Sequence, residues 1–133
     1  MIDTEIIKIT LNAKYNKLLS DYDFEITKKN KTCGDLITIR LNNKKKTTLT
    51  YDAKSCFFTK AAAEILSKNI SKYNLAQLKD LKDEIRNYFK SGNKKISKNL
   101  KPFKIILNKK YKMRKDCILL PISAVIEALD VKR

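Results

Sequence analysis

Three cysteines, Cys33, Cys56 and Cys117, together with Asp35, are the residues of this 133-residue chain whose types could carry chemistry. Histidine is absent. That removes the commonest general base and the commonest nitrogen ligand for a transition metal, and it excludes Ser–His and Cys–His nucleophilic catalysis. What remains is sulfur and oxygen chemistry. Thiolates are soft donors suited to zinc, copper(I) and iron–sulfur centres, and a carboxylate is a harder one. An odd number of cysteines disfavours a secreted disulfide framework, so the expected form is the thiol of a reducing cytosol. Such thiols either pack in a core, as free cysteine commonly does, or bind metal.

The elements around them decide between those uses. Leu36–Leu41 alternates, with Ile37, Ile39 and Leu41 on one face and Thr38 and Arg40 on the other; Thr47–Ala53 repeats the pattern through Leu49, Tyr51 and Ala53. The polar run Asn42-Asn43-Lys44-Lys45 between them predicts the turn of an antiparallel hairpin, with 22–28 as a third strand. Cys33 then stands just before one hairpin strand and Cys56 just after the other, both at the open end. Their distances from the turn differ by about two residues, or roughly 7 Å, and neighbouring strands lie about 5 Å apart, which brings the two thiols near one another. Asp35 should project from the same face as Cys33. Gly34 is expected to allow close approach of a ligand or backbone between them. Cys56 and Cys117 each lead into a predicted helix, whose partial positive N-terminus favours thiolate, and Arg114 and Lys115 act in the same sense. Spacing alone does not bring Cys117 to the others, and three unrelated core cysteines remain an alternative.

Apolar spacing predicts an amphipathic helix over residues 2–19, through Ile2, Ile6, Ile9 and Ala13. Ala61–Leu66 is helical by propensity. Asn74 and Gln77 form a capping-box pattern opening a helix on Leu75, Leu78, Leu81, Ile85 and Phe89 that ends near Ser91-Gly92. A Lys-rich connector, 93–101, closes on Pro102, and Phe103–Tyr111 reads equally as a short helix or an extended segment. The last helix is expected to carry Pro121 in its first turn, before Ile122, Val125, Ile126 and Leu129. Strands followed by helices make the fold α+β: a small three-stranded antiparallel sheet packed against several helices, one domain spanning 1–133.

No apolar run reaches the roughly 18 residues that a membrane span needs, and Asp3 and Glu5 stand where a signal peptide would carry Lys or Arg, so the expected location is cytoplasmic. The net charge of +16 points to anions such as nucleic acid. Yet the only arginines are Arg40, Arg86, Arg114 and Arg133, and a general richness in Lys, Asn and Ile raises charge without purpose.

Lys31-Thr32-Cys33-Gly34-Asp35, Lys54-Ser55-Cys56 and Arg114-Lys115-Asp116-Cys117-Ile118-Leu119-Leu120-Pro121 together resemble the IscU/SufU/NifU N-terminal family of iron–sulfur cluster assembly scaffolds, over Ile6 to Leu129. The long interval from Cys56 to Cys117, with Arg114 three residues before the latter, is closest to the SufU-like branch. The resemblance implies that Cys33, Asp35, Cys56 and Cys117 hold a metal or a transient 2Fe–2S cluster. It implies a non-enzymatic scaffold that takes sulfur from a cysteine desulfurase and passes clusters to apo-proteins. SufU-type members instead hold zinc and relay sulfur as a persulfide, a sulfurtransferase activity; Cys33 and Cys117 are the candidate acceptors. The chain departs from the family at Asp116, where IscU-type members have histidine, and at Lys31, often proline in SufU-like chains. It also lacks the Leu-Pro-Pro-Val-Lys chaperone-docking motif, and Phe57-Phe58 replace small, Ser-rich residues as core residues or as a shield over the site. Two rival readings are a zinc domain whose metal serves folding, and a nucleic-acid module using Lys94–Lys101 and Lys109–Lys115 with Phe103 and Tyr111, a poor stacking platform.

Overall fold

The computed structural model describes residues 3–32, 34–92 and 96–131, without the side chain of Val131. Helix α1 (Thr4–Leu11) precedes an antiparallel meander of β1 (Phe24–Lys29), β2 (Leu36–Asn42) and β3 (Thr48–Lys54). Helices α2 (Phe57–Asn69), α3 (Leu75–Ser91) and α4 (Lys115–Val131) follow, with 3-10 turns at Ile70–Lys72, Lys101–Ile106 and Lys109–Arg114. This is the expected α+β arrangement.

The sheet follows its side-chain alternation. Ile37, Ile39, Leu41, Leu49, Tyr51 and Ala53 are buried beneath the helices. The other face carries cross-strand polar pairs, Thr27 with Thr38 at 2.8 Å and Arg40 with Glu25 at 2.6 Å. Helices α2 and α4 pack side by side on the sheet, α2 against β3 and α4 against β1 and β2, and α2, buried at Phe58, Thr59 and Ala61 through Ser67, is surrounded by partners. Helix α3 begins and ends where the sequence says it should. Asn74 accepts the Gln77 N–H, Gln77 returns the bond, and Gly92 closes the helix at φ 68°.

Two expectations are corrected. The first helix stops at Leu11 and not near residue 19. Beyond it the backbone bonds outward: the Lys14 and Tyr15 N–H groups donate to the Glu64 carboxylate at 2.9 and 3.2 Å, and Tyr51 N–H donates to the Tyr15 carbonyl at 3.0 Å. A buried acid and the free edge of β3 therefore take the groups that a longer helix would have used. Pro121, expected in the first turn of the last helix, stands inside α4, which begins at Lys115. The ambiguous stretch 103–111 is divided between the two later 3-10 turns, with Leu107 and Asn108 linking them. No helix among the described residues is long and apolar enough to cross a membrane.

Candidate metal centre

The register of the sheet builds one side of the site. Lys29 pairs with Leu36, and Leu36 with Lys54, so the 30–35 loop and the exit from β3 share one end of the sheet. Asn30 organises the loop: its carbonyl accepts Gly34 N–H, its N–H donates to the Asp35 carbonyl, both at 2.8 Å, and its side chain accepts Thr32 N–H at 3.0 Å. Gly34 sits at φ 75°, in the left-handed region, with nothing among the described residues within 4 Å of where a Cβ would lie. The left-handed turn by itself requires the glycine, and no other backbone among the described residues approaches that Cβ position closely. Cys33, in this loop by sequence, lies outside the described residues.

Asp35, Cys56 and Cys117 come together. One ligand atom from each lies within 4.8 Å of the others. They arrive from three places: Asp35 from the loop before β2, Cys56 from the N-cap of α2, and Cys117 from the first turn of α4. The Cys56 thiol lies 3.6 Å from Asp35 Oδ2, and both cysteines are free of disulfides. Asp35 and Cys117 are buried and Cys56 is half-buried. Two soft donors and one hard donor in so small a space suit a thiophilic cation with mixed coordination. Phe58 belongs to the core, tilted against Tyr111 at 4.7 Å between ring centroids, whereas Phe57 is exposed.

A fourth residue ties these groups together. Thr59, fully buried, places its hydroxyl 2.8 Å from Asp35 Oδ2 and 3.0 Å from the Cys117 carbonyl. Proline explains the second contact. In a helix the Cys117 carbonyl accepts from the N–H four residues on, and that residue is Pro121, which has none. The one hydroxyl proton of Thr59 is shared between the Asp35 carboxylate and this carbonyl, so α2 offers a donor where α4 lacks one, at the residue that bears a site sulfur. Both halves were present in the sequence, a proline four residues after one cysteine and a hydroxyl three after another, but nothing local joined them. Thr59→Val is expected to cost about 2 kcal/mol. Thr59→Ser should recover most of it, and Pro121→Ala, which restores a helical N–H, should shrink the cost of Thr59→Val. Equal losses from the valine variant in both backgrounds, by denaturant melts, would refute the proline account.

No protein-family model matches the sequence, and no curated protein matches it. Solved structures do. An N-terminal NifU-like protein from Brucella abortus superposes with a TM-score of 0.82 over 96% of this chain and 91% of its own, at 20% identity. A protein from Fervidobacterium islandicum AW-1, described as an iron–sulfur cluster assembly scaffold for the SUF system, gives 0.77 over 96% and 95%, at 19% identity. A hypothetical protein gives 0.77 over 97% and 98%, at 17% identity. The chain has the NifU/SufU fold. That fold accounts for the expected sheet and helices. In this chain's NifU/SufU fold, the elements bearing Asp35, Cys56 and Cys117 meet at one end.

Proposed function

We infer that this chain is an iron–sulfur cluster assembly scaffold of the IscU/SufU/NifU family, with a cluster as its cargo. One observation carries the reading: a carboxylate and two thiols from three separate elements lie within 4.8 Å of one another in a chain with the NifU/SufU fold. Cys33, two residues before Asp35, completes the proposed ligand set. Sulfur arrives from a cysteine desulfurase on a persulfide whose outer sulfur is taken by a thiolate of this chain. Of the two candidate acceptors, Cys117 is 2% exposed and closed to an incoming persulfide, so Cys33 is the proposed acceptor. Cys56 and Cys117 sit at helix N-termini, whose partial positive charge offsets the negative charge of a thiolate- and sulfide-bound cargo.

Anaerobic incubation with ferrous iron, cysteine, a desulfurase and dithiothreitol, whose two electrons reduce persulfide sulfur to sulfide, followed by iron and labile-sulfide analysis, tests the reading. Equal iron and sulfide should accompany the parent chain and be lost from each Cys→Ser variant. Zinc without sulfide, with added sulfur on Cys33 by mass spectrometry, would identify a SufU-type persulfide relay. Neither would remove both. Asp35 is proposed as the exchangeable ligand, because a carboxylate holds soft iron less firmly than a thiolate. Asp35→Ala should therefore slow cluster transfer to an apo-ferredoxin about tenfold, equivalent to about 1.4 kcal/mol. Unchanged transfer would deny Asp35 that role.

A further inference from the structure

At the far end of α2 from the sulfurs opens a cleft of about 1340 Å³. Cys56 caps one end of the helix, and Ile65, Lys68 and Asn69 line the cleft from its last turn, about 18 Å along the axis. Six exposed lysines surround it: Lys8 of α1, Lys14 of the following loop, Lys68, Lys72, Lys98 and Lys101. The ion pairs found among the described residues all lie elsewhere, and none uses any of these six. The cleft's acid, Glu64, is already committed to two backbone N–H groups and the Tyr51 hydroxyl. The positive charge of the rim is therefore unanswered within the described fold.

The walls argue for the kind of anion. Ile9, Ile65, Pro102 and Ile105 give the cleft an aliphatic lining, which the lysine stems extend. A phosphate ligand has no use for such a lining. Nucleic-acid recognition favours arginine forks, and no arginine among the described residues lines the cleft; Tyr15 and Tyr73 do line it, but the Tyr73 hydroxyl is tied to the Asn99 carbonyl. Size argues in the same direction. Small-ligand pockets occupy about 300–1,000 Å³, whereas ten helical residues fill a cylinder about 10 Å across and 15 Å long, roughly 1,200 Å³. We propose that this cleft docks an acidic, amphipathic peptide segment of a partner protein, its apolar side chains against the isoleucines and its carboxylates among the six lysines.

The probe is a fluorescein-labelled 14-residue helical peptide with leucines on one face and glutamates on the other, followed by anisotropy at low salt. Lys68→Glu/Lys72→Glu/Lys101→Glu should weaken its binding at least tenfold. Lys45→Glu/Lys46→Glu/Lys90→Glu, the same charge change at exposed sites outside the cleft, should leave it within twofold. Replacing the leucines of the peptide by serine should cost at least fivefold. Equal weakening by both triple variants, or a serine peptide that binds as well, would overturn the proposal. So would a 14-nucleotide single strand that binds more tightly than the peptide through the same lysines. Thermal melts check that each variant is folded. Cys117→Ser should bind the peptide unchanged, so the result stands apart from the metal reading.

Discussion

Replacing Cys56 or Cys117 by serine is expected to lower zinc affinity about a hundredfold, read by competition with a chromogenic chelator under anaerobic conditions. Thiolate-rich zinc sites contribute about 10–16 kcal/mol, or on the order of 3 kcal/mol per ligand, and a serine hydroxyl returns little of that. Asp35→Asn should lose less, because an amide oxygen still donates. The comparison also separates cargo binding from structural zinc. Ile37, Ile39, Tyr51, Leu66, Leu81 and Phe103 are essentially fully buried and none is a metal donor; of the sulfurs, Cys117 lies in the same core and Cys56 packs against its edge, a small share of the buried apolar residues. Stripping metal should therefore leave the far-ultraviolet circular dichroism unchanged, whereas a metal needed for folding would take the helices with it. Parent-like affinity in both serine variants would end the metal-centre reading.

Glu64→Ala should destabilise the chain as strongly as a large core truncation. The carboxylate is 7% exposed and accepts from the Lys14 and Tyr15 N–H groups and from the Tyr51 hydroxyl, at 2.9, 3.2 and 2.9 Å. Its removal leaves a buried phenol and two backbone donors without this acceptor, at about 1–3 kcal/mol for each group that water cannot reach. A total of about 4 kcal/mol would lower Tm by on the order of 15 °C. Glu64→Gln should fall between, since its amide nitrogen cannot accept, and Tyr51→Phe isolates the phenol. A loss below about 1 kcal/mol would mean that this acid does not hold the 12–19 segment to the sheet. Burial, with the adjacent Glu64 carboxylate, pushes the Tyr51 phenol far above the usual tyrosine range. Because the folded state holds that proton more tightly, the contribution is complete below pH of about 10 and declines as pH rises beyond it.

Local signals in the sequence translated directly. The alternation of Ile37, Ile39 and Leu41 specified the buried face of β2, and Asn74, Gln77 and Gly92 marked the ends of α3, because each involves neighbours within one turn or one pleat. The hairpin put Asp35 and Cys56 at one end of the sheet, since register follows from the strands themselves. Cys117 was different. Its approach depends on how α4 packs on α2, which only the resemblance to a known family implied. The early end of α1 was illegible for the same reason, because its cause, Glu64, stands about fifty residues away. Pro121 misled because the usual place for proline is the first turn, and the compensating hydroxyl comes from another helix.

Helix α2 also sets how traffic over this molecule can be organised. Its two ends open toward different neighbourhoods, one of sulfur and one of ammonium groups. Under the two proposals, an acidic segment held at the ammonium end would leave the sulfur end unshaded, so that a sulfur donor and a second partner would not have to take turns on the molecule.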